Sequence, residues 1–188
     1  METNSFPMEI EGKFRVANAE ALRQRLAEIA ALELTTEQHT DTYLKHPIRD
    51  FRITDEALRM RCVDGMYWVT YKGPRREGHL KVRPEIELPL QPGTESEWFR
   101  IWQSLGFEQV TSVSKSRQSY RVEANGRPVT VTIDSVDGIG CFSEIERVVQ
   151  SEAELETARA DIDQVALRLG LDCVEKRSYL SMVLERIR

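Results

Sequence analysis

Cysteine is scarce in this 188-residue chain: Cys62, Cys141 and Cys173 are an odd number, widely spaced and without a C-x-x-C pair. That argues against a disulfide framework and against a thiolate zinc site, and the three read as reduced residues in or near the core. Long apolar runs are missing as well. No uninterrupted stretch reaches the roughly 20 residues a bilayer helix needs, and no basic region followed by an apolar run opens the chain. No membrane span is therefore expected, and a cytoplasmic location is the default. Histidine is limited to His39, His46 and His79, none with a partner at ligand spacing, so no Ser-His-Asp arrangement is visible and each is expected at the surface. A G-x-x-x-x-G-K-[ST] loop is also absent, so any nucleotide would have to be gripped by side chains on strands.

What the chain does have is charge. Charged residues make up 30% against 40% hydrophobic, with 31 acidic and 26 basic side chains, a net charge of −5 and a pI near 5.4. The balance speaks against a general nucleic-acid binder, although a local basic patch can still receive a small anion. At 21.7 kDa, residues 1–188 fit one domain able to bury a core.

The charge is patterned. Glu-Ile-Glu occurs at 9–11, 85–87 and 144–146, each centre β-branched, which places both carboxylates of each triplet on one strand face. Basic residues repeat at the same spacing: Arg59 with Arg61, Lys115 with Arg117, Lys13 two places after Glu11, and Arg83 two places before Glu85. Several strands thus carry alternating charge on one side and Val, Ile, Leu or Met on the other. This points to a sheet curled around a charged interior.

Alternation and turn residues predict strands over 8–16, 35–44, 58–63, 67–72, 80–89, 108–123, 128–134 and 141–149. Asp64-Gly65 and Asn125-Gly126 are the hairpin turns. Helices are expected after Asn18, with Leu22, Leu26 and Ile29 on one stripe, and after the capping box Thr94-Glu95-Ser96-Glu97, with Trp98 and Trp102 in the core. A third runs from Ser151 and Glu154 through Leu155, Ala158, Ile162, Val165 and Leu169 to Gly170, and a fourth spans 178–187. Residues 45–56, polar and containing Pro47, read as a mobile loop of the kind that borders a site.

Glu9, Glu11 and Lys13 project side by side from the first strand, a pair of carboxylates suited to a hard cation such as Mg²⁺ or Mn²⁺ with a lysine to meet a phosphate. Alone the triplet is more simply a solvated strand face. Asp134, Glu144 and Glu146 form a second acidic group that a turn over 136–140 would bring together as a hairpin, where converging acids favour a cation. Arg59, Arg61, Lys72, Lys115 and Arg117, with Lys81 and Arg83, are what a polyphosphate requires. For any single one of them, pairing with Glu85, Glu87 or another acid is an equal alternative.

Assembled in order, these residues resemble the CYTH family, which unites class IV adenylyl cyclases with thiamine triphosphatases and inorganic triphosphatases. Its E-x-E-x-K hallmark is matched by Glu9-Ile10-Glu11-Gly12-Lys13. Further matches run through Asp41-Thr42-Tyr43, Leu58 to Arg61, Thr70 to Pro74, Arg83 to Glu87, Lys115 to Arg117 with Tyr120, Asp134 to Glu146, and Arg177-Ser178-Tyr179. The resemblance implies an α+β triphosphate tunnel fold: a closed eight-stranded antiparallel β-barrel with a charged lumen and helices packed outside. It also implies that Glu9, Glu11, Asp134, Glu144 and Glu146 hold one or two Mg²⁺ or Mn²⁺ ions, while Lys13, Arg59, Arg61, Lys72, Arg83, Lys115 and Arg117 cradle a triphosphate, with Glu85 and Glu87 lining the tunnel.

Two chemistries are implied. A cyclase turns ATP into cyclic AMP and pyrophosphate. A triphosphatase hydrolyses ATP, tripolyphosphate or thiamine triphosphate, with Lys72 and Tyr43 at the positions of a water-activating pair. Tyr71-Lys72-Gly73-Pro74 and the length look most like the class IV cyclase, or CyaB-like, branch. A non-catalytic triphosphate or polyphosphate sensor is the third reading. Monomer and homodimer stay open, and no exposed apolar face is expected.

Overall fold

The structure, a computed structural model, describes residues 7–76 and 78–187. In β1 (Met8–Arg15), Ile10 and Phe14 turn to one side and Glu9, Glu11 and Lys13 to the other, and both sides are buried. The ring is completed by β2 (Leu32–Lys45), β3 (Ala57–Val63), β4 (Met66–Lys72), β5 (Lys81–Pro89), β6 (Glu108–Ala124), β7 (Arg127–Val136) and β8 (Gly140–Val149); on β2 the outward Thr36, Gln38 and Thr40 are open to solvent. All neighbours are antiparallel in the closed order β1-β5-β4-β3-β2-β6-β7-β8. The β3–β4 turn at Asp64-Gly65 and the β6–β7 turn at Asn125-Gly126 place both residues at positive φ, the geometry that matches the twist of a two-residue hairpin.

Helices α1 (Ala19–Glu28), α2 (Glu95–Ser104), α3 (Leu155–Leu169) and α4 (Tyr179–Ile187) lie outside the strand ring. The main apolar core is therefore between the helices and the barrel's outer surface. Ala158, Ile162, Val165 and Leu169 of α3 bury against Ile10, Val122, Val131, Ile145 and Val149. Asn18 caps α1, its Oδ1 accepting the Ala21 N–H at 3.1 Å, and Gly170 closes α3 in the left-handed conformation. The α2 helix sets Trp102 against Leu44, Met60 and Leu90. The α4 helix lies across one rim, where Tyr179 and Met182 cover Tyr43, Val113, Val136 and Phe142. No described helix is long and apolar enough to cross a membrane.

Several expectations are corrected. Thr94 makes no side-chain cap; its hydroxyl donates to Gln91 O at 2.7 Å, because the turn before α2 offers a nearer acceptor. Trp98 is not core: it shares an outward stripe of α2 with Ile101 and Leu105, at 38%, 48% and 63% exposure, so an exposed apolar face does exist. Cys173 is exposed, while Cys62 and Cys141 are half-buried. His39 is buried in β2, with Nε2 2.9 Å from Glu37 and no partner for Nδ1 among the described residues. Residues 45–56 carry their own ties: His46 Nδ1 accepts the Ile48 and Arg49 amides, and Glu56 accepts the Tyr71 hydroxyl at 2.5 Å.

Candidate active site

Register decides which charges meet inside the ring. Glu11 lies opposite Glu146 on β8 and Lys81 on β5, Lys13 opposite Glu144, Glu9 opposite Arg83, and Lys72 opposite Glu85. On the far wall Asp41 is opposite Arg61, Tyr43 opposite Arg59, and Arg117 opposite Asp134. These side chains, except Asp41 and Asp134 that stand behind the wall, line a cavity of 530 Å³ that also receives Tyr179 from α4, Phe51 from the β2–β3 connection and Arg75 from the β4–β5 connection.

The lumen is a web of charge-assisted hydrogen bonds. Asp41 accepts Arg59 at 3.0 Å and Arg61 at 2.7 and 2.9 Å. Burial alone would raise its pKa, but Arg59 and Arg61 overcome that and hold it well below the usual carboxylate range. Asp134, fully buried, accepts Lys115 at 2.9 Å, Arg117 at 2.7 and 2.6 Å and the Tyr179 hydroxyl at 2.9 Å. Arg117 reaches on to Glu144, which also pairs with Lys13 at 3.1 Å. Lys13 in turn stands 3.6 Å above the centre of the Tyr179 ring, a cation–π contact. Across the cavity Lys72 donates to Glu9 at 2.7 Å and forms an ion pair with Glu85 at 2.5 Å, and Lys81 donates to Glu11 at 2.7 Å.

Three groups stand out electrostatically. Burial works against the ammonium of Lys72, yet Glu9 and Glu85 raise its pKa, so it is firmly protonated. Lys115 goes the other way: burial and neighbouring Arg117 bring it down to about 8. Burial together with Glu9, Glu144 and Glu11 pushes Glu146 up to about 7, the mark of a carboxylate whose charge is not met. Two buried donors, Arg59 Nε and Arg83 Nε, have no acceptor among the described residues; Arg83 Nε stands 3.7 Å from Glu9.

Of the residues singled out in the sequence, Glu9, Glu11, Lys13, Tyr43, Arg59, Arg61, Lys72, Arg83, Glu85, Glu87, Lys115, Arg117, Glu144 and Glu146 line this one cavity. Asp134 does not; it stands behind the wall as the shared acceptor of Lys115, Arg117 and Tyr179. Asp41 and Tyr179 had appeared only within motifs and Arg75 and Phe51 not at all. Asp41's place two residues before Tyr43 on one strand was the available signal, whereas Phe51, Arg75 and Tyr179 enter from a loop or a helix, where strand periodicity carries no information. Among the described residues no group of three or more His, Cys, Asp or Glu side chains is arranged as a metal cage. Glu9, Glu11 and Glu144 are each drawn to a lysine or arginine instead.

A closed antiparallel barrel whose interior is lined by opposed lysines, arginines and carboxylates defines a charged tunnel. The chain belongs to the CYTH family: the CYTH domain matches residues 7–179. It is 30% identical over 93% of its length to "Putative adenylate cyclase MJ0240" of Methanocaldococcus jannaschii, covering 98% of that protein. To adenylate cyclase CyaB of Aeromonas hydrophila it is 29% identical, over 93% of this chain and 87% of that one. The PH1819 protein of Pyrococcus horikoshii OT3 superposes with a TM-score of 0.83 at 37% identity, over 96% of this chain and 99% of the other.

Proposed function

We propose that this protein is an enzyme that binds a triphosphate in the barrel lumen and cyclises ATP to cyclic AMP and pyrophosphate. The observation that carries the triphosphate reading is the pair of buried, acceptorless guanidinium nitrogens, Arg59 Nε and Arg83 Nε, in a cavity shared with Lys13, Arg61, Lys72, Lys115 and Arg117. A buried donor left unpaired costs about 1–3 kcal/mol, and phosphate oxygens would supply the missing acceptors. The cyclase reading is supported by the two relatives that carry that name.

In this scheme the ribose 3′-hydroxyl oxygen attacks the α-phosphorus, its proton passes to water, and the bond from the α-phosphorus to the bridging oxygen breaks, releasing pyrophosphate. Arg59, Arg61, Arg83 and Arg117 neutralise the charge that gathers on the leaving group, and Asp41 and Asp134 hold three of those guanidiniums in place. Lys72, kept protonated by Glu9 and Glu85, suits a phosphate contact rather than proton abstraction. A divalent cation fits the donor set: Glu9, Glu11, Glu144 and Glu146 offer hard carboxylate oxygens on one side of the cavity, and Glu146 has charge to spare. Mg²⁺ or Mn²⁺ held there would neutralise phosphoryl oxygens as a Lewis acid.

Hydrolysis of a terminal phosphate is the second reading: Tyr43 and Lys72 face the same cavity, where a protonated Lys72 would orient the attacking water rather than take its proton. Incubation with ATP, thiamine triphosphate or tripolyphosphate, each with Mg²⁺ or Mn²⁺, followed by chromatography of the products, separates the readings. Cyclic AMP with pyrophosphate is the expected result. Orthophosphate moves the assignment to a triphosphatase, and tight binding without turnover to a sensor. Glu146→Gln should abolish metal-dependent turnover in a folded protein; full activity in that variant would remove Glu146 from the metal site.

A further inference from the structure

Beside the lumen lies a second cavity, of 280 Å³, where the β4–β5 connection meets the segment that leads into α4. Its own lining is Arg76, Gly78, His79, Leu80, Val174 and Lys176, with Glu175 at the floor. Glu11, Lys13, Arg75 and Lys81 line both spaces and so form the wall between them. Arg75 spans that wall: its Nε and one terminal nitrogen donate to Asp55 at 2.7 and 2.6 Å, the other to Lys176 O at 3.2 Å.

The charge of this side cavity is poised for an anion. Lys13, Arg75, Arg76, Lys81 and Lys176 bring five cations to it; Lys13 is paired with Glu144 and Lys81 with Glu11, and both acids among its described lining residues are engaged. Glu175 is held by Arg15 at 2.7 Å and Arg177 at 2.6 Å, and Glu11 by Lys81 at 2.7 Å. Arg75 and Arg76 have carboxylate partners, Asp55 and Glu152, but both pairs are at least one-third exposed. An exposed single-contact pair such as Arg76–Glu152 is weak, so a multiply charged phosphate can displace it, whereas Arg75 keeps a two-point grip on Asp55. The two spaces also differ in apolar lining. Pro7, Phe51, Ala57, Val148 and Leu180 belong to the lumen cavity alone, where an organic group would rest, whereas the side cavity offers Leu80 and Val174.

We propose that this side cavity is a second anion site, which takes the inorganic phosphate product, pyrophosphate or orthophosphate, through the wall formed by Glu11, Lys13, Arg75 and Lys81. The proposal rests on the lumen being the triphosphate site. It gives the small anion a way out that does not pass the organic product.

The test is an amide NMR titration of the full chain with orthophosphate, pyrophosphate and, separately, tripolyphosphate, on wild type and on the double variant Arg76→Glu/Lys176→Glu. In wild type, Gly78, His79 and Val174 should shift on titration with one of the two product anions as a set distinct from lumen-strand amides such as Gly12 and Ile145. The double variant should weaken that set about tenfold and leave the lumen set unchanged. Preference for pyrophosphate assigns the anion to cyclisation, and preference for orthophosphate to hydrolysis. Shifts confined to the lumen set, or side-cavity shifts unaltered in the double variant, overturn the side site alone. If tripolyphosphate also leaves the lumen set unmoved, the lumen reading fails, and the side site with it.

Discussion

On β1 and β8, alternate residues enter two different interiors: Ile10, Phe14, Ile145 and Val149 turn outward into the helix-covered core, while Glu9, Glu11, Lys13 and Glu144 turn into the lumen. Both sets are almost free of solvent. Burying each apolar side chain contributes about 1.5–3 kcal/mol. Each lumen charge instead loses hydration worth several kcal/mol, which only a well-placed partner offsets. The outer core thus holds the barrel together, and the inner one is an arrangement that stability alone would not select.

The sharpest way to break the comparison is to remove one lumen cation. Arg117→Met leaves Asp134 with Lys115 and Tyr179 and Glu144 with Lys13 alone, and should cost about 3 kcal/mol in urea unfolding, with loss of tripolyphosphate binding. In the outer core, Ile162→Ala should cost about 2–5 kcal/mol by leaving a cavity under α3 while binding per folded molecule stays the same, as calorimetry would show. Glu146→Gln should move stability in the opposite direction. A carboxylate with its folded pKa raised to about 7 costs stability once pH exceeds the unfolded value, so at pH 8 the variant should be more stable by about 1–3 kcal/mol, with the gain fading as pH falls through 7 toward 4.5.

Glu175 gives the smallest effect and the reverse sign. Its pKa is lowered to about 2, first by Arg177 and then by Arg15, so its stabilisation is present above about pH 4.5 and is lost as pH falls toward 2. Glu175→Gln should be less stable than wild type by about 1 kcal/mol at pH 7, since both arginines are partly exposed, and the two melting curves should converge near pH 2.

The comparison also explains what could be read from the residues in order. Where one strand face is apolar, as in Met8–Arg15 and Gly140–Val149, alternation gave both the strand and the identity of its lumen face. In β2 both faces are largely polar: Thr36, Gln38 and Thr40 point out while Glu37, His39 and Asp41 point in, so the pattern of residues does not distinguish inside from outside and the burial of His39 is not legible in it. The insertion of β5 between β1 and β4 is a long-range pairing that no local pattern encodes. Asp134 reads as one more lumen acid because its role depends on Lys115, Arg117 and Tyr179 converging from a strand and a helix.

The closure of β1 against β8 has a kinetic consequence. The Met8–Val149 end of that ladder joins residues near opposite ends of the strand sequence, so the ring cannot shut until the last strand has emerged and a very long loop has been drawn in. Until then β1 and β8 each present an open edge, and the charged face can still draw on bulk water. Closure of this seam is thus the step at which the lumen charges are shut away from solvent, and folding should be slower there the less completely their partners are already in place.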